Sequence, residues 1–299
     1  MEDSPLTDLA PRTLRWLAVG LLLALPATPA AALPQDPPQD PPKDGGPAAK
    51  PPAAKPEEKP PEEVKPEEIE AFIKQYEEQL SKMTDEDAIA GIGKLKGWYL
   101  NPRVGEEGKK AILKVFQSKV VKVRGKEAYL EAAAKALGEM GGEEAIPLLR
   151  YLVESSLDQK IQVASVARAG IASLGRIASV KGDNVKYLTE KLKKEDEFIG
   201  DAARALAGYA KAPGAVRREI FEELLKMCEG VYSKSEANDV NMKRKWNIWG
   251  TEVVEAMQKV TGQNFTKPPE FRRWLNNKDP GGGKNPKTWA DPEGGKTGQ

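Results

Sequence analysis

The sequence predicts an all-α protein, a right-handed α-solenoid of paired helices, on three observations. From residue 67 to residue 277, apolar residues recur at three- and four-residue spacing in one segment after another. No stretch shows the two-residue alternation between turn residues that marks a hairpin. Three Ala-rich segments share the pattern A-[KR]-A, at Ala134-Lys135-Ala136, Ala167-Arg168-Ala169 and Ala203-Arg204-Ala205, spaced by 33 and 36 residues. A recurrence of this length with two helices per unit marks stacked repeats, whose apolar faces are covered only by their neighbours.

Residues 1–32 read as a secretory signal peptide. Arg12 and Arg15 precede an apolar run from Trp16 to Leu25, Pro26 breaks it, and Ala30-Ala31-Ala32 offers a small-residue cleavage site. The alternative is an uncleaved anchor. The run Leu14–Leu33 has the length for one, but it carries Arg15 and two prolines. The chain is therefore expected to be exported, periplasmic or extracellular, with no membrane span once the signal is removed. Residues 33–66 hold twelve of the 24 prolines and almost no large apolar side chain. They read as a disordered, extended linker. Residues 278–299, rich in Gly and Lys, read as a disordered tail. Trp289 could anchor that tail, though nothing else in the sequence supports it.

Between linker and tail, each helix has its own signal. Ile69, Phe72, Ile73, Tyr76, Leu80 and Met83 share one face of the first. Thr84, with Asp87 three residues on, opens the second in the manner of a capping box, and Asn101-Pro102 ends it. The third carries Ile112, Leu113, Val115, Phe116 and Val120 on its apolar side. EAYLEAAAKALGEM follows and stops at Gly141-Gly142. EEAIPLLRYLVESS has Pro147 near its start, where a missing N–H breaks no helical bond. KIQVASVARAGIASLGRIAS comes next, then DNVKYLTEKLKKED with Asp183 as its N-cap. FIGDAARALAGYAKA, AVRREIFEELLKMCEGVY and MKRKWNIWGTEVVEAMQKVTG complete the array. Ser233–Asn241 reads as a longer loop than the others.

Residues 132–155, AAAKALGEMGGEEAIPLLRYLVES, resemble a HEAT repeat of the PBS-lyase type: an "AxALG" helix, a glycine turn, then an "EEAIPLL" helix. The chain from Val260 to Asp279, VTGQNFTKPPEFRRWLNNKD, resembles a signature at the C-terminal end of exported bacterial HEAT-repeat proteins. That signature has TGQ-x-F, a proline-containing helix start and two aromatic positions three apart, here Phe271 and Trp274. Phe271 stands where Trp is frequent, and Leu275 where a second Trp is common. The resemblance covers about residues 84–277. It implies a curved stack that binds proteins, and it does not imply lyase activity. Physically the last stretch reads as a structural cap. Gly262 ends the long helix, Phe265 folds back on it, and Pro268-Pro269 open a short helix. Phe271, Trp274 and Leu275 share that helix's inner face.

Composition narrows the function. The chain has no histidine and one cysteine, Cys228. Ser-His-Asp and Cys-His catalysis, HExxH zinc sites and intrachain disulfides are excluded. No cofactor or metal is expected, and Cys228 reads as a small core residue. Signal removal takes two of the 46 basic and three of the 45 acidic residues and leaves a net charge near +2. That is no nucleic-acid footprint. The best partner-binding candidates are Lys135, Arg168 and Arg204, which the A-[KR]-A pattern would align as a basic row; in a HEAT stack the second helix of each pair lines the concave side. Lys243, Arg244 and Lys245 follow, in KRKWNIW. There Trp246 and Trp249 fall at core spacing with Val253, Met257 and Val260. The run Lys109, Lys110, Lys114, Lys119, Lys122, Arg124 and Lys126 reads as a solvated face, or as a contact for envelope polyanions. The function expected is a non-enzymatic, protein-binding scaffold of the cell envelope, with an acidic polymer as the other partner class. The alternatives are a self-associating structural component and a carboxylate-dependent enzyme accessory acting on a polymer. For the latter no acid pair can be named.

Overall fold

A computed structural model describes residues 64–158, 164–181, 183–194, 196–277 and Trp289. The expected signal peptide, nearly all of the Pro-rich linker and the rest of the tail lie outside them. The described residues are all-helical. Their α-helices are α1 Pro66–Gln79, α2 Asp85–Leu100, α3 Glu106–Ser118, α4 Glu127–Met140, α5 Ala145–Asp158, α6 Ala164–Ile177, α7 Asn184–Lys194, α8 Ile199–Ala207, α9 Gly214–Glu236, α10 Val240–Thr261 and α11 Pro268–Asn276. Short 3-10 turns occupy Val120–Lys122 and Gly208–Lys211.

The packing follows chain order. From α2 to α10, each even-numbered helix packs on the next even one. On the other side α1 packs on α3, α7 on α9, and α9 on α11. Contacts of α5 with α4 and α6, of α7 with α8, and of α9 with α10 tie the two rows together. The α6–α8 junction is a backbone-to-backbone contact. A Cβ added at Gly175 would lie 2.3 Å from the Ala205 Cα, and one at Gly208 would lie 2.1 Å from the Gly175 carbonyl oxygen. Only glycine lets the two backbones meet this closely. At the N-terminal end, Tyr76 and Tyr129 are fully buried. The Tyr76 hydroxyl donates to the Ala88 carbonyl at 2.8 Å and lies 3.2 Å from the Tyr129 hydroxyl.

Helix ends mostly follow their local chemistry. Thr84 Oγ1 accepts from the Asp87 N–H at 3.2 Å, but the Asp87 carboxylate takes the Thr84 hydroxyl at 2.7 Å. The capping box is thus only half formed: Asp is one methylene too short to return to the Thr84 backbone. Gly141 and Gly142 both have positive φ, which turns the chain between α4 and α5.

Four expectations need correction. The helix begins at Pro66, the last residue assigned to the linker, because proline's fixed φ suits a first helical turn. The third helix stops at Ser118 and a 3-10 turn carries Val120 and Val121 into the core. Asp183 has φ +57°, whereas an N-cap needs extended backbone. The long loop before α10 does not exist: α9 runs on through Glu236. Ser235 is buried, with its hydroxyl on the Tyr232 carbonyl at 2.7 Å. Asn238, at φ +65°, turns the chain. Asp239 then caps α10, accepting from the Asn241 and Met242 N–H groups at 3.0 and 3.1 Å.

Candidate functional site

The even-numbered helices bring charged side chains into two linked groups, one spanning α2, α4 and α6 and the other α6, α8 and α10. Lys96 on α2 meets Glu139 on α4 at 2.6 Å, and Glu139 meets Arg176 on α6 at 3.5 Å. Arg168, also on α6, meets Glu197 at 3.0 Å and Asp201 on α8 at 3.4 Å. Asp201 meets Arg204 at 2.5 Å, and Arg204 reaches Glu252 on α10 at 3.0 Å. Every junction from α2 to α10 is therefore crossed by at least one ion pair. The Lys96 ammonium holds the Glu139 carboxyl below its usual range, and the Asp201 hydrogen bond raises Arg204 further. The guanidinium groups stay about half exposed, 50% at Arg168 and 56% at Arg204. At that exposure each pair contributes roughly 0–1 kcal/mol to stability.

This arrangement changes the basic row. Arg168 and Arg204 are brought together on Asp201, but Lys135 is not among them. It pairs with Glu131 on its own helix at 2.5 Å. Three contacts align α4 beside α6: Ser165 Oγ on Glu127, Ser173 Oγ on the Ala134 carbonyl, and Arg176 on Glu139. These pairs are 37 to 39 residues apart, whereas Lys135 and Arg168 are 33 apart. Lys135 therefore stands roughly one helical turn away from the level of Arg168. The row is also not a free positive field, because acids of the same or the next helix answer its charges.

The other sequence candidates scatter. Lys243 and Arg244 are exposed at the start of α10, and Lys245 meets Asp196 at 2.6 Å. Trp249 is buried, Trp246 half-buried, and their rings lie 5.8 Å apart. Next to them, a cleft of about 590 Å³ is lined by Leu192, Ile199, Met227, Met242, Lys245 and Trp249 among others. Lys126, from the basic run, is structural: its ammonium donates to the Met83 carbonyl at 2.8 Å and meets Asp85 at 3.0 Å. Cys228 is fully buried, and desolvation pushes its thiol up to about 12. A thiolate nucleophile is not available there near neutral pH.

The four cap residues form one assembly at the C-terminal end. Gly262 adopts the left-handed conformation, φ +71°, and its N–H bonds the Gln258 carbonyl at 2.7 Å. The Gln258 amide then holds the Phe265 carbonyl at 2.8 Å. Phe271 is fully buried. Its ring lies 5.2 Å from Phe265 and 5.9 Å from Phe221 on α9, and Trp274 lies 5.6 Å from Phe221. Arg272 holds Glu229 of α9 with two donors, Nε at 2.7 Å. Trp289, which sequence reasoning left in the tail, packs on this same cluster. Its signal was the isolation of one Trp in a polar segment.

Among the described residues, no cluster of three or more His, Cys, Asp or Glu side chains could hold a metal ion, and no helix is long and apolar enough to cross a membrane. No family model, curated protein or solved structure matches the chain.

Proposed function

We propose that the protein is an exported, non-enzymatic scaffold of the cell envelope. In this reading it is an α-solenoid of HEAT-like helix pairs that holds a partner protein along the face of α2, α4, α6, α8 and α10. The observation that carries the reading is that an ion pair crosses every junction of that row, with Arg168, Arg176 and Arg204 about half exposed. A guanidinium has five N–H donors in a fixed fork, more than the carboxylates around Arg168 and Arg204 consume. Both groups keep directional capacity toward a partner's acids or carbonyls. Their own acids cancel long-range attraction, so recognition depends on close fit. Export rests on the charged, apolar and small-residue pattern of residues 1–32.

The test is a cross-linked pull-down from envelope extract, with the chain and its Arg168→Glu/Arg204→Glu variant as baits. Circular dichroism would confirm that both are folded. One dominant partner retained by the chain and lost by the variant is expected. Equal retention by both baits, or no retention by either, would overturn the assignment of this face.

A further inference from the structure

The C-terminal end of the array carries a second surface, built independently of the charged face. Trp289 is joined to α11 through residues 278–288, and its ring is part-buried. It lies 5.7 Å from the Phe221 ring on α9 and 5.9 Å from the Trp274 ring on α11. Its backbone seats against Gly214, the buried first residue of α9. A Cβ added at Gly214 would lie 1.4 Å from the Trp289 carbonyl oxygen, and its three nearest atoms would all belong to Trp289. Ring contacts and a glycine seat thus mark the same notch from two sides. Beside it is a cavity of about 420 Å³, lined by Arg218, Glu222, Lys226, Arg272, Leu275 and Trp289 among others. Arg218 meets Glu222 there and Arg272 holds Glu229, which leaves the Lys226 ammonium as the rim's unmatched charge among the described residues. In the sequence, Trp289 is followed by Asp291 and Glu293.

We infer that this notch is a docking site for a tryptophan-bearing segment followed by acidic residues. The chain's own tail is its resident occupant, through Trp289, and keeps it closed to such segments from other chains. The aromatic walls take the indole face by offset and edge contacts, Gly214 admits the backbone, and Lys226 on the rim suits the acids that follow. With only eleven residues between α11's last described neighbour, Asn277, and Trp289, the tail's effective concentration at the notch is of order millimolar. A segment in trans must therefore displace the tail.

The experiment uses a fluorescent peptide of residues 284–294, KNPKTWADPEG, titrated into the full chain and into its Trp289→Ala variant, with anisotropy as the readout. Binding to the variant should be at least about tenfold tighter than to the intact chain, by removal of the tethered competitor. A peptide with alanine in place of the tryptophan should not bind. Gly214→Ala keeps a good helix former at the start of α9 but fills the seat, so this variant should bind no peptide. In 5-fluorotryptophan-labelled protein, the Trp274 fluorine resonance should move in both variants, because each empties the notch. No binding to the Trp289→Ala chain, equal binding to both chains, or an unmoved Trp274 resonance would overturn the proposal. Sedimentation of the intact chain as a dimer that Trp289→Ala abolishes would assign the notch to a second copy's tail and overturn the cis occupancy.

Discussion

Tyr76 shows how little room a single position leaves. Its ring is buried, its hydroxyl is committed to Ala88 and Tyr129, and it lies over Gly91 of α2, where an added Cβ would come within 2.1 Å of the ring. Helix propensity alone would favour alanine at an interior helical glycine by about 1 kcal/mol. The clash outweighs that gain, since the ring cannot shift without breaking two hydrogen bonds. Gly91→Ala is expected to destabilise the protein by about 1–3 kcal/mol, measured as a lower urea midpoint. A stabilised variant would show that the ring has an alternative seat. The glycine was invisible as a packing residue in the sequence, because nothing local says which tyrosine lies across from it. Cys228 was legible: a lone cysteine four and three residues after Leu224 and Leu225 shares their helix face and belongs in a core, and there it is.

At the scale of elements, the α4 boundaries were readable to the residue, since a helical apolar pattern ends at two glycines that turn the chain. Reading failed where two signals competed. The polar run at the end of α9 resembles a loop, yet it is helical because Ser235 and Tyr232 are buried. The A-[KR]-A match gave repeat spacings of 33 and 36, but α4 and α6 align at 37 to 39. Ala-rich helices match themselves at several registers, and packing chooses among them. Hence Arg168 and Arg204 meet through Asp201, while Lys135 pairs within its own helix. The cap offers a test at this scale. The Glu270 carboxylate accepts from the Thr266 and Lys267 N–H groups at 2.9 and 3.0 Å, and these bonds hold it below its ordinary value of 4.5. A depressed folded-state value means its contribution is present above the ordinary value and is lost as pH falls through the folded one. On acidification α11 should loosen before the bulk of the helices, with Trp274 emission changing ahead of the far-UV signal. Glu270→Gln should remove that early step. Coincident transitions in both proteins would contradict the assignment.

At the scale of the whole molecule, four buried weak acids are spread along the described residues. Burial pushes Cys228 and Tyr209 up to about 12, and it raises Tyr76 and Tyr129 as well. Each is neutral when folded and free to ionise when unfolded, at about 9 for the thiol and 10 for the phenols. Their stabilisation is complete below pH 9 and is lost as pH rises toward 12. The slope is up to about 1.4 kcal/mol per pH unit for each group. Urea midpoints should fall from near pH 9 upward, and Cys228→Ala should delay the onset toward 10. A flat profile to pH 11 would refute this. The all-α class was fully legible at this scale because helical periodicity needs no tertiary information. The series of crossed ion pairs was not, because acid and base come from helices 29 to 48 residues apart. The principal helix contacts join elements no more than two apart along the chain, so the polypeptide never closes a long loop before contacts reward it. Refolding should therefore be fast for a chain of this size, limited by local events rather than by a search for distant partners.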